Sequence, residues 1–130
     1  MSDLKRWAKI MITTAKANQL AVDWLGKAER DMNAFGSALP GHAEKAPTHL
    51  MILDALTEEH DFGWVFYWTS REYHETGDIR HALGGNAPLI VDRDDGSIHI
   101  TGTAKRTTVY IDDYRKIKNG AQPAATDNAV

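Results

Sequence analysis

Three features of the sequence predict an α+β fold, an antiparallel sheet of about four strands with an N-terminal and a C-terminal helix packed on it. Apolar residues recur with helical spacing near the start and again near the end of the chain. Between them lie runs of β-branched and aromatic residues with period-two alternation. Two of those runs also flank an Asp-Gly pair of the kind that closes hairpins.

Residues 1–12 are expected to form a loosely held arm, and the domain proper to span 13–118. The first helix is predicted from about Thr14 to Asn33, where Ala17, Leu20, Ala21, Trp24, Leu25, Ala28 and Met32 follow i, i+3, i+4 spacing. Thr13 or Thr14 suits the N-cap, because a hydroxyl can accept a free amide of the first turn. Gly26 costs this helix roughly 1 kcal/mol relative to alanine. Gly36 is expected to end it, and the stretch to Pro47 reads as a long loop.

The period changes at about His49. A strand is predicted over His49–Thr57, then a polar connection from Glu58 to Gly63. Trp64–Thr69 is the strongest strand signal, with Trp64, Phe66 and Trp68 on one face and Val65, Tyr67 and Thr69 on the other. Both faces are largely apolar, which predicts a central strand covered on at least one side by a helix. Residues 70–87 read as a polar excursion. Pro88–Asp92 and Ser97–Thr101 then form a hairpin around Arg93-Asp94-Asp95-Gly96, where glycine supplies the positive φ. The last helix is predicted over Arg106–Lys118, with Val109, Tyr110, Tyr114 and Ile117 as its apolar stripe and Asp112, Asp113, Arg115 and Lys116 toward water. Residues 119–130 are small and polar and are expected to form a flexible tail.

At 130 residues the chain suits one domain. It has no cysteine, which excludes disulfide scaffolds, thiolate catalysis and cysteine-ligated metal sites. No apolar run approaches the roughly 18 residues that span a bilayer. The longest apolar run near the start is Ile10–Ile12, too short for a secretory signal, so a cytoplasmic protein is expected. The net charge of −3 conceals a strong asymmetry: residues 54–95 hold 10 acidic against 3 basic side chains. Both flanking regions are net positive. A field of one sign concentrated in one third of the chain attracts basic partners and repels nucleic acid.

Motifs for catalysis are wanting. No His spacing matches a zinc pattern, and His74, Glu75 and His81 are read as solvated loop residues rather than a metal site. None of Ser2, Ser37, Ser70 and Ser97 sits in a nucleophile elbow. Gly84-Gly85-Asn86 lacks the remainder of a phosphate-binding loop. Glu72, Glu75 and Asp78 offer carboxylates for a small hydrolase, but the sequence gives no reason for any of them to be desolvated. No cofactor is expected. A binding protein is the reading that survives, with Glu58, Glu59, Asp61, Glu72, Tyr73, Glu75 and Asp78 as the residues that meet a partner.

Several short motifs recur in a fixed order: Gly63-Trp-Val-Phe66, Glu75-Thr-Gly-Asp78, Gly85-Asn-Ala-Pro88, Asp95-Gly-Ser-Ile98 and Gly102-Thr-Ala104. In these the sequence resembles the YrhB-like family, also called the immunity protein 35 family, over residues 48–116 and more loosely in the first helix. Residues 34–47 and the tail depart from the family, and Arg106 stands where a proline would open the last helix. The resemblance implies an α+β domain that protects a bacterium by binding and neutralising a cognate toxin. It brings no catalytic residues. Its Glu75-Thr76-Gly77 and Asn86 with Pro88 read as architectural. The expected partner is a toxin with a basic binding surface, without nucleic acid or membrane, and the oligomeric state stays open. The alternative is a chaperone-like accessory protein that binds exposed apolar surface on client proteins.

Overall fold

A computed structural model describes residues 12–38, 46–83 and 86–120. The expected arm, except Ile12, and the expected tail beyond Gly120 lie outside the described residues, as do Gly84 and Gly85. Helix α1 spans Thr14–Ala38, β1 Leu50–Ile52, β2 Glu58–His60, β3 Gly63–Phe66 and β4 Trp68–Ser70. Helix α2 spans Arg71–Thr76, β5 Leu89–Asp92, β6 Ile98–Ile100 and α3 Thr107–Lys118. The architecture is α+β: an antiparallel four-stranded sheet in the order β2-β3-β5-β6, and a separate two-stranded pair β1-β4.

Thr13 caps α1, its Oγ1 accepting from Lys16 N at 3.1 Å. The helix buries Ala17, Ala21 and Leu25 against Trp64, Phe66, Leu89 and Val91. Leu50, Ile52 and Trp68 complete this core, so α1 also reaches the small β1-β4 sheet. Alanines at the contact let the helix backbone approach the strands closely. A smaller core lies on the opposite face of the four-stranded sheet, where Phe62, Val65 and Ile90 pack on Ile111 of α3. β3 is central and covered on both faces, as its alternation predicts.

The structure revises several boundaries. Gly36 does not end α1, which continues to Ala38. The expected strand His49–Thr57 is only β1, followed by a 3₁₀ turn at Asp54–Leu56. Glu58–His60, read as a connection, is the edge strand β2, held by pairing with Val65, Trp64 and Gly63 rather than by its own propensity. Trp64–Thr69 is not one strand. It breaks at Tyr67, because the chain up to Phe66 pairs with β5 while Trp68–Ser70 pairs with β1. The polar excursion opens with α2. In α3 the buried residue is Ile111, which was absent from the expected stripe, while Val109 and Ile117 are exposed.

Glycine is required at the entry to β3. Gly63 has φ +151°, and a Cβ there would lie 2.0 Å from the Val91 carbonyl oxygen.

Candidate functional site

The acidic residues singled out by sequence fall into three places. Alternation along β2 sends Glu58 and His60 to the α3 face of the sheet and Glu59 to the α1 face. On the α3 face, Glu58 Oε2 accepts from the Tyr67 hydroxyl at 3.1 Å, and Glu58 Oε1 lies 2.9 Å from His60 Nε2. Arg115 Nη2, which can only donate, lies 3.2 Å from His60 Nδ1. Those partners assign the imidazole proton to Nε2, donated to Glu58. His60 stacks on Phe62 at 5.1 Å, and the Arg115 guanidinium also lies 5.3 Å from that ring. Arg115 Nε donates to Asp61 at 3.0 Å, and this bond holds the Asp61 carboxyl below its ordinary value. Burial, with the Glu58 charge second, pushes the Tyr67 hydroxyl up.

On the α1 face, Glu59 accepts from Arg93 Nη2 at 2.8 Å. The same nitrogen donates to the His60 carbonyl at 2.8 Å, and the guanidinium lies 4.5 Å over the Trp64 ring.

The third place is α2 with its flanking turns. Ser70 caps this helix, accepting from Tyr73 N at 3.0 Å while donating to the His81 carbonyl at 2.7 Å. Gly77 closes it at φ +70°. Thr76 Oγ1 donates to the Glu72 carbonyl at 2.7 Å and accepts from Asp78 N at 3.1 Å. Asp78 caps the following 3₁₀ turn through Arg80 N at 2.9 Å and takes the Arg80 guanidinium at 2.6 Å. That guanidinium holds the Asp78 carboxyl down. Asn86 Nδ2 donates to the Trp68 carbonyl at 2.8 Å. Thr76, Gly77, Asp78 and Asn86, drawn from the motifs of the sequence, thus fix backbone.

Glu72 accepts from His49 N at 3.0 Å and meets His49 Nδ1 at 2.7 Å. Burial works against its ionisation, but the His49 bonds prevail and its pKa is lowered. Glu75 differs from the other acids: it is exposed, and its side chain has no hydrogen bond or ion pair among the described residues. It shares α2 with Tyr73, which is 37% exposed, and the nearby Ile79 is 76% exposed. α2 and the turn after it thus expose an aromatic, an unpaired carboxylate and an aliphatic side chain on capped, short-range structure.

Sequence reasoning missed two sets of residues. Arg93 and Arg115 neutralise Glu59 and Asp61 from positions 34 and 54 residues away, and no local signal foretells such pairings. The other set is a polar cluster around the buried Asp92. It accepts from Lys118 Nζ at 2.7 and 2.8 Å and from the Tyr114 hydroxyl, and Lys118 also reaches Asp94 at 2.6 Å. Burial would raise the Asp92 pKa, but the Lys118 and Tyr114 bonds outweigh it and hold the carboxyl below its ordinary value. Burial pushes the Tyr114 hydroxyl up, and its bond to Asp92 adds to this. An aspartate closing the apolar run Leu89-Ile-Val-Asp92 was the available clue.

Among the described residues no group of three or more His, Asp or Glu is placed to hold a metal ion. No helix among them is long and apolar enough to cross a membrane.

The model of a family described as Immunity protein 35 matches residues 15–116. A curated relative, the uncharacterized protein YrhB of Escherichia coli (strain K12), is 52% identical over 52 residues. That alignment covers 40% of this chain and 55% of the relative, so it spans about half of the relative's length. No solved structure matches.

Proposed function

The chain belongs to the immunity protein 35 family, and on that premise we propose that it binds a cognate bacterial toxin in the cytoplasm and neutralises it by direct protein–protein inhibition. The observation that carries this reading is the family match across 15–116, which takes in every element of the four-stranded sheet. Such a protein acts by occupying its partner, and it transforms nothing itself.

The partner-binding residues are Glu58, Glu59, Asp61, Glu72, Tyr73, Glu75 and Asp78, meeting a basic surface on the toxin. These residues differ in the side-chain pairing they bring to such an interface. Glu59, Asp61 and Asp78 already hold Arg93, Arg115 and Arg80, so a toxin cation exchanges for an internal one there. Such exchange contributes little net affinity and serves mainly to steer approach. Among the described residues the side chains of Tyr73 and Glu75 on α2 carry no such prior pairing, and Tyr73 supplies the aromatic anchor typical of an interface hot spot.

The test pairs the purified chain with the toxin-sized domain encoded by the adjacent gene. A stoichiometric complex that abolishes toxicity is the expected result. Charge reversal at Glu59 and Glu75 slows association in a salt-dependent way, whereas Tyr73→Ala speeds dissociation and weakens binding by about 2 kcal/mol. Binding kinetics untouched across this panel would remove the acidic residues from the interface, and a toxin left fully active would end the neutralisation reading.

A further inference from the structure

The two edges of the four-stranded sheet have opposite chemistry. At one edge, β2 carries Glu58, Glu59 and His60, tied to Arg93 and Arg115. At the other, β6 lies in Ser97-Ile98-His99-Ile100-Thr101, which has no Lys, Arg, Asp or Glu. Among the described residues β6 pairs with β5 alone. On the α3 face, His99 packs 4.8 Å from the Tyr114 ring, and Ile117 of the same helix is 58% exposed. On the other face, Ile98 packs partly on the main core while Ile100 is 62% exposed.

The ladder decides which backbone groups are open. Asp92 N donates to the Ser97 carbonyl and Thr101 N to the Pro88 carbonyl, so Ser97, His99 and Thr101 turn their main-chain groups toward β5. Antiparallel pairing alternates, and the amides and carbonyls of Ile98 and Ile100 therefore point outward. Two residues apart with His99 between them, they form a pattern that is complementary to itself under a two-fold rotation.

We propose that this chain forms a two-fold homodimer through its β6 edge, joining two four-stranded sheets into one continuous sheet. Ile98 pairs with Ile100 of the partner subunit and Ile100 with Ile98 of the partner subunit, exchanging amide-to-carbonyl bonds, while the two His99 residues stand opposite each other at the axis. The exposed Ile100 side chain is covered by Ile98 of the partner subunit on the α1 face. Charge selects this edge over the other. Two β2 edges brought together oppose glutamates to one another, which is unfavourable, whereas two β6 edges oppose no charged strand residues. The dimer leaves α2 and the β2 edge free, so it is independent of the toxin-binding reading.

Sedimentation velocity of the full chain across its soluble concentration range tests this, together with two variants. The wild type is expected to sediment as a dimer that dissociates on dilution. Ile100→Lys puts an ammonium on the exposed edge and is expected to abolish the dimer with an unchanged circular dichroism spectrum. His99→Cys introduces the sole cysteine of the chain at the axis, where opposed Cα atoms of a non-bonded antiparallel pair stand about 4.5 Å apart, within disulfide reach. It is expected to form a covalent dimer under mild oxidation much faster than Glu59→Cys on the other edge. A wild type that stays monomeric at every concentration overturns the proposal. So does a dimer that a folded Ile100→Lys leaves intact, or cross-linking of His99→Cys no faster than that of Glu59→Cys. Should Ile100→Lys fail to fold, the two cysteine variants decide alone.

Discussion

The two faces of the four-stranded sheet are made by the same strands but held in different ways. Toward α1, alternate residues Trp64, Phe66, Leu89 and Val91 meet a helix that buries two alanines and a leucine among them. Toward α3, the intervening residues Val65 and Ile90 meet a helix with Ile111 as its one buried residue among those described. The second helix is fastened instead by polar contacts at its C-terminal half: Tyr114 and Lys118 to Asp92, and Arg115 to Asp61 and His60. A helix with a narrow apolar stripe gains too little from burial to fix its position, so directional bonds to the sheet do it. The first face should therefore be sensitive to volume and indifferent to pH, and the second the reverse.

The largest effect expected is on the first face. Leu89→Ala empties a fully buried position opposite Phe66 and should cost about 3–4 kcal/mol in chemical denaturation, with little dependence on pH. Asp92→Ala comes next. It removes the acceptor shared by Tyr114 and Lys118 and should cost about 3 kcal/mol, with the loss of amide-exchange protection concentrated in α3. Equal loss of protection in α1 would mean that the two faces unfold as one unit.

The pH dependence sharpens the contrast. The folded Asp92 carboxyl lies below its ordinary value of 3.8, so its contribution is complete above that value and is lost as pH falls through the folded pKa. Lys118 lies above its ordinary value of 10.5: burial opposes this, but bonds to Asp92 and Asp94 prevail. Its contribution is complete below 10.5 and is lost as pH rises through the folded pKa. Amide exchange along α3 should thus accelerate at both extremes before that of α1, and Asp92→Asn should flatten the acid limb. The smallest effect belongs to the exposed pairs. Glu59→Gln removes the negative charge facing Arg93 at a half-exposed site and should cost about 0.5 kcal/mol, diminishing with added salt.

Much of this arrangement is legible along the chain. The division of Trp64, Phe66 and Trp68 from Val65 and Tyr67 follows from period two, and the structure sorts these residues into the two cores accordingly. The buried face of α1 follows equally from its spacing. α2 was missed although its signals are present, a serine N-cap at Ser70 and a glycine C-cap at Gly77, because five polar residues around the single Tyr73 give no hydrophobic period to detect. β2 was missed for a different reason: Glu-Glu-His has no strand propensity, and a charged edge is what keeps such a strand from pairing further. The acids of the candidate site were visible as a charge excess, but their pairing with Arg93, Arg115, Arg80 and His49 was only partly so. Arg80 is a near neighbour of Asp78, whereas Arg115 is brought to Asp61 by the packing of α3.

By itself, then, the sequence determined the α+β class, the faces of β3, the β5-β6 hairpin, the two terminal helices and the family. Each of these rests on local periodicity, turn chemistry or short motifs, which act between residues close along the chain. Tertiary structure alone decided that the aromatic run divides between two sheets at Tyr67, that Asp92 anchors α3, and which acids keep a free charge. Those outcomes depend on which distant segment comes to lie alongside, and hydrogen bonds and ion pairs are short-ranged, so no pattern within one segment records the partner that folding supplies.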